Sequence, residues 1–237
     1  ELRSRVAVSS GGPDAPTRAT AVTAVKYAVL SAPDASLPLI GQNLSAFIGA
    51  APLTDSDWGV RRAAVQTLSA AAHKRAALVL PLLNDLVPIL LEQTVIIKEL
   101  IRIVDLGPFK HTVDDGLDLR KAAFECCDTL LDTCMSGSGG LDHFSAAAGY
   151  LNALASGLGD HYDIKMVAHV TLAKLCVAAG PATLSALDTL VEPMGKTLTA
   201  KLKSDAVKQE IDRNEDLLRS CLRAVAAVEK LVEGASA

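Results

Sequence analysis

Apolar residues recur at intervals of three and four along most of the chain, the spacing that gathers them on one face of a helix. In the run from Val60 to Ala72, Val60, Ala63, Ala64, Leu68, Ala71 and Ala72 keep this rhythm, with Arg61, Arg62 and Gln66 between them. The pattern predicts helices over about 17–31, 38–50, 57–73, 76–92, 117–135, 142–157, 162–179, 183–200 and 205–233. Breakers separate them: Pro33 and Pro38, Pro52, Gly107-Pro108, the Gly137 to Gly140 run, and Gly180-Pro181. Pro81, Pro88 and Pro193 fall inside helical stretches, where a proline starts a helix or kinks it. Residues 1–16 read as a loose, flexible leading segment, with Ser9-Ser10-Gly11-Gly12-Pro13 as its turn, ahead of helices over 17–237.

One stretch breaks the rhythm. From Thr94 to Val113 the chain is rich in Ile, Val and Thr, which favour strands, and Gly107-Pro108 sits between two short β-like runs. The expectation is a β-hairpin at about 95–113, inserted between helices; a helix through Leu106 followed by a loop is the alternative.

The helices also repeat. Asp55 to Val65 runs as an acidic turn, an apolar residue, a base and a small apolar run, and Asp114 to Phe124 runs the same way. Weaker copies surround Arg18, Lys165 and Arg219, so the five bases are separated by 43, 59, 45 and 54 residues. Two of these steps match the roughly 40–47-residue period of HEAT repeats. The local logic is physical. An Asp at a helix start accepts from free backbone N–H groups and meets the positive end of the dipole. The base one turn on can pair with an acid of the adjoining turn, and Ala-Ala removes bulk where helices must approach. The fold class expected is therefore all-α: a HEAT-repeat α-solenoid of antiparallel helix pairs with one inserted β-hairpin.

Composition supports this. Half of the 237 residues are hydrophobic, yet only 3% are aromatic (four Phe, three Tyr, one Trp), which argues against a sandwich or barrel core. With 23 Lys and Arg against 27 Asp and Glu, the net charge of −4 shows no basic footprint for nucleic acid. No run is long enough to span a membrane, and no secretory signal opens the chain. The first residue is Glu1, which reads as a fragment or a trimmed chain. Five cysteines at irregular spacing (Cys126, Cys127, Cys134, Cys176 and Cys221) read as core thiols of a reducing compartment. The five histidines are scattered and no CxxC, HExxH or GxSxG occurs, so neither a metal, a cofactor nor a catalytic constellation is expected. Gly137-Ser138-Gly139-Gly140 lacks the strand and the Lys-Ser/Thr of a phosphate loop.

Several strings carry a specific likeness. Gly107 to Asp118, Arg120 to Cys126, Asp160 to Met166, Leu190 to Pro193, Val207 to Glu210 and Arg219 to Ala227 resemble the C-terminal region of cullin-associated Nedd-dissociated proteins. The resemblance extends from about residue 17 to 230. It implies the C-terminal part of a longer HEAT solenoid that is not an enzyme. The implied partner is a cullin with its RING subunit, lacking its ubiquitin-like modifier, held through the cullin's N-terminal region. The hairpin would compete with the cullin adaptor and its substrate receptor and so promote receptor exchange. It also implies a cytoplasmic and nuclear location, no nucleic acid and no membrane. A separate chain carrying the N-terminal repeats is a further possible partner, docking on the exposed N-terminal face of the first helix pair. By the resemblance the hairpin contacts are Leu100, Ile103, Leu106, Pro108, Phe109, Lys110 and His111, with Phe109 as the best single anchor. Lys98, Arg102 and Lys110 would steer an acidic surface.

Two other readings stand beside it. One is a generic HEAT scaffold for nuclear transport or phosphatase assembly. The other is a HEAT-like DNA glycosylase built around Asp57 and Trp58, which would need a basic groove that the charge total does not advertise.

Overall fold

The structure, a computed structural model, describes residues 13–107, 109–136 and 147–236, except the side chains of Leu106, Phe109, Ala147 and Ala148. Helix α1 spans Ala15–Ser31, α2 Leu37–Ile48, α3 Ala50–Leu53, α4 Trp58–Lys74, α5 Ala76–Val79 and α6 Leu83–Glu92. Strands β1 (Ile101–Leu106) and β2 (Phe109–Asp114) follow, then α7 (Leu117–Ser136). Next come α8 (Ala147–Gly157), α9 (Tyr162–Ala178), α10 (Gly180–Ser185), α11 (Leu187–Thr199) and α12 (Lys208–Ser236). The fold class is that of a HEAT-repeat solenoid, with one hairpin among the described residues. No described helix is long and apolar enough to cross a membrane.

Two compact units divide the chain, Glu1–Cys134 and Met135–Ala237. In the first, α1 lies along α4, and α4 reaches α7 through Arg62–Asp118, Ser69–Thr129 and Thr133 donating to the Ala72 carbonyl. A second row, α2, α3 and α6, packs behind them. The contact faces are small: Ala63, Ala64, Ala71 and Ala72 of α4 and Ala122 and Ala123 of α7 are all buried. Leu44, Ile48, Leu53, Leu68, Leu83, Leu90, Leu130 and Leu131 fill the space between the rows. Each such side chain contributes about 1.5–3 kcal/mol relative to leaving it in water. In the second unit α9 packs on α12, and α8 and α11 contact each other and flank that pair.

Two helix starts, those of α1 and α4, follow the capping logic. Asp14 accepts from the Thr17 N–H at 2.9 Å and Asp57 from the Val60 N–H at 3.1 Å. Helical threonines, poor helix formers, return their hydroxyls to the carbonyl one turn back; buried Thr67 donates to Ala63 at 2.7 Å. The five cysteines are free and buried, and burial pushes the thiols of Cys126, Cys134, Cys176 and Cys221 above their ordinary range.

Several boundaries differ from the pattern. Helix α1 begins at Ala15 because Asp14 caps it and Pro16 fits the first turn, so residues 15 and 16 leave the leading segment. The run predicted over 38–50 stops at Ile48; after Gly49 the chain enters α3, which carries Pro52 buried inside it instead of as a breaker. The run over 76–92 is three pieces, since Pro81 sits in a 3-10 turn at Leu80–Leu82 between α5 and α6. Pro88 and Pro193 are carried within α6 and α11. Gly180-Pro181 opens α10 before α11, which splits the helix expected over 183–200, and α12 runs to Ser236. The Gly137 to Gly140 run, the turn at Ser9 to Gly12 and the start of the helix expected from 142 lie outside the described residues.

Candidate functional site

The composition break that begins at Thr94 contains a two-stranded antiparallel ladder. Ile101 pairs with Asp114, Arg102 with Val113, Ile103 with Thr112, Val104 with His111, Asp105 with Lys110 and Leu106 with Phe109. β-Branched side chains at 101, 103, 104, 112 and 113 suit the pleat. A two-residue connection, Gly107-Pro108, joins the strands, and Gly107 takes φ +68°, a left-handed value that glycine adopts without penalty. The strands are shorter than the stretch predicted at 95–113. Residues 95–97 are not strand and Lys98–Leu100 forms a 3-10 turn, so Leu100 stands before the ladder.

The base of the hairpin is fixed to α7. The Asp115 N–H donates to the Leu100 carbonyl at 3.1 Å. The Asp114 carboxylate accepts from the Gly116 N–H at 3.0 Å and from the buried Arg120 guanidinium at 2.8 Å. Leu100, half-buried, packs so close to Gly116 that a Cβ there would meet its Cδ1 at 3.1 Å. Arg102 binds Asp115 through Nε at 2.9 Å and Nη2 at 3.3 Å, and this hydrogen bond and charge hold the Asp115 carboxyl below its ordinary range.

Alternation along the ladder sorts the nominated residues. Positions 101, 103 and 105, with partners 114, 112 and 110, share one side; positions 102 and 104, with 113 and 111, share the other. Ile103 and Lys110 therefore stand on one side and His111 on the opposite side. Ile103 is 68% exposed, beside exposed Ile101, Lys110 and Thr112, whereas Val104 and Val113 on the other side are half-buried. Lys98 and Lys110 are exposed, and Arg102 is committed to Asp115. Leu106 and Phe109 form the last pair of the register; their side chains and Pro108 lie outside the described residues.

Sequence reasoning missed the sidedness, because pairing partners, unlike strand content, are not written in a single strand. It also missed the reach of the repeat arginines. Arg18 pairs with Asp55, in the turn ahead of the next repeat's helix, 37 residues away. Arg61 donates to the Asp55 carbonyl and stacks its guanidinium 4.4 Å from the Trp58 ring. Asp57, the carboxylate of the glycosylase reading, is engaged as the α4 cap. Among the described residues no three His, Cys, Asp or Glu side chains gather as metal ligands do.

The comparisons with known proteins agree on one family. A family model described as TATA-binding protein interacting (TIP20), named TIP120, matches residues 78–237. The chain is 50% identical over 224 residues to cullin-associated NEDD8-dissociated protein 1 of Arabidopsis thaliana, covering 94% of this chain and 18% of that protein. It is 44% identical over 212 residues to cullin-associated NEDD8-dissociated protein 2 of Mus musculus, covering 90% of this chain and 16% of that protein. A protein of Emericella nidulans named cullin-associated NEDD8-dissociated protein 1, C-terminal part, is 40% identical over 178 residues, 75% of this chain and 16% of its own length. The chain thus spans less than a fifth of the length of each of these relatives.

Proposed function

Because the chain belongs to the TIP120 family of cullin-associated NEDD8-dissociated proteins, we propose that it is a non-catalytic regulator of cullin–RING ubiquitin ligases. Its repeats bind the N-terminal region of a cullin lacking the ubiquitin-like modifier, with the RING subunit in the same complex. The hairpin occupies ground the substrate-receptor adaptor also needs, so each weakens the other's hold and receptors exchange. This is competition between binding partners, with no covalent step, and it takes place in the cytoplasm and nucleus.

The observation that carries the reading is the hairpin itself. It presents Ile101 and Ile103 to solvent beside Lys110, on a base held to α7 by Asp114–Arg120. Exposed branched apolar side chains on a fixed arm make a anchor of the kind a partner pocket desolvates. Repeats that precede these, supplied by a separate chain as the relative named a C-terminal part would allow, dock on the first helix pair. Tyr27 of α1 and Leu39 of α2, 62% and 67% exposed, offer apolar surface for that junction.

The test is a pull-down of the unmodified cullin–RING complex by the full chain. Binding that declines as adaptor is added is the expected result; no binding, or binding indifferent to adaptor, ends the proposal. Phe109→Asp combined with Leu106→Asp should weaken the competition more than it weakens the fold, the second read from the melting temperature. Displacement that survives this pair removes the hairpin from the mechanism.

A further inference from the structure

The second unit carries a surface unrelated to the hairpin. Between α9 and α12 two adjoining cavities of about 500 and 360 Å³ open side by side, sharing Val177 and Arg223 in their walls. Val170 and Val177, 48% and 80% exposed, lie seven residues apart on α9 and therefore on one face of it. Ala173 of α9 and Ala226 and Ala227 of α12 keep the walls low, so a visiting backbone can come close. The charge is one-sided. Lys174, Arg223 and Lys230 line the two cavities and no carboxylate does, although the whole chain carries a net charge of −4. Glu229 and Glu233 of α12 stand outside the lining. Among the described residues neither Arg223 nor Lys230 is held in an ion pair.

We propose that this groove docks an acidic amphipathic helix of a partner protein, with short apolar side chains on its contact face and carboxylates along its border. The spacing fits that occupant. Arg223 and Lys230 are seven residues apart on one helix, roughly 10 Å along its axis, which is the separation of carboxylates two turns apart on an incoming helix. The apolar face would cover Val170 and Val177, and the acids would meet the two unpaired cations, the helix-in-groove mode of recognition. At the inner end lies His169, 1% exposed, with neither ring nitrogen bonded to any described residue. It is a built-in reporter of occupancy, since its surroundings change when the groove fills.

The experiment is an NMR titration of the full chain with a synthetic Leu/Ala/Glu helix carrying Glu at i and i+7, and with its Lys-for-Glu counterpart. Amide shifts at Val170, Val177, Arg223 and Ala226 and a change at His169 are expected with the acidic peptide alone, weakening as salt is raised. Arg223→Glu with Lys230→Glu should lower the affinity at least tenfold while leaving the thermal melt unchanged. Four outcomes overturn the proposal. These are no shifts in the groove, equal binding of the Lys peptide, undiminished affinity in the double variant, or a dimer of this chain that fills the groove and is dissociated by Val177→Asp.

Discussion

Arg18 of α1 and Asp55, in the turn ahead of α4, form a two-pronged buried pair: Nε and Nη2 donate to the two carboxylate oxygens at 2.8 and 2.7 Å. Asp55 also accepts from the Asp57 N–H at 2.9 Å, and its carbonyl receives Arg61. A single aspartate thus joins the arginine of one repeat to the helix start of the next.

Removing that carboxylate leaves a buried guanidinium without its partner. Asp55→Ala should cost about 3–5 kcal/mol, seen as a lower denaturation midpoint in urea. Burial pushes the Asp55 carboxyl up, but hydrogen bonds from Arg18 and the Asp57 N–H, with the charges of Arg18 and Arg61, outweigh it and leave the pKa below its ordinary value. The carboxyl therefore stabilises the fold fully above an unfolded pKa of about 3.9 and loses that contribution as pH falls through the lower folded value. Urea midpoints measured below pH 4 should fall more steeply in the parent than in Asp55→Asn.

His169 titrates the other way round from a paired histidine. Burial, with the nearby Lys165 charge, lowers its pKa to about 4, so it is neutral in the fold and protonates first in the unfolded chain. Stability from this source is complete above about pH 6.5 and is lost as pH falls toward 4. His169→Leu should keep or raise stability at pH 7, since it removes two buried, unbonded nitrogens. It should also shrink the loss between pH 6.5 and 4 by about 3 kcal/mol, read by calorimetry across that range.

Ala64 has no exposed surface on the face that α4 turns into the core. Ala64→Leu should destabilise the first unit by about 1–3 kcal/mol through overpacking, whereas Ala24→Leu on the exposed side of α1 should leave it within about 0.5 kcal/mol. Thermal melts of the two variants make the comparison.

A Cβ at Gly107 would meet nothing within 4 Å, so the cost of Gly107→Val lies in backbone conformation alone. The left-handed φ should make the substitution cost about 1–2 kcal/mol, confined to the hairpin. Amide exchange should quicken at Ile103 and Thr112 and stay unchanged at Leu68 and Leu130.

Ile103→Asp tests which side of the ladder meets a cullin. The residue is 68% exposed, so the fold should not suffer, and cullin affinity should fall at least tenfold. His111→Asp, on the opposite side that the register gives to the Leu106–Phe109 pair as well, is the comparison, and the larger loss marks the side in contact, both measured by calorimetric titration.

Periodicity was enough to locate most of the helices, the Asp57 cap of α4 and the Ala-Ala contacts, because each rests on neighbours within one or two turns. The hairpin was legible for the same reason: a change of residue type and a glycine at the only bend. The sidedness of Ile103 and His111 was not, since it depends on which residue lies across the ladder. Arg18 found its acid 37 residues away, through the packing of α1 beside α4, and no local window contains that partner. The splits at Gly49 and Leu80–Leu82 arose where a proline or glycine is absorbed by a short extra turn instead of ending a helix.

The hairpin draws its ladder, its turn and its ion pair from residues close together in sequence, from Lys98 to Arg120. Among the described residues no hydrogen bond runs from its outer four pairs to the rows of helices. The described outer pairs can therefore open or close without breaking a hydrogen bond of the helical scaffold. A substitution in the outer pairs of the arm and a substitution in the helical core therefore disturb separate sets of contacts.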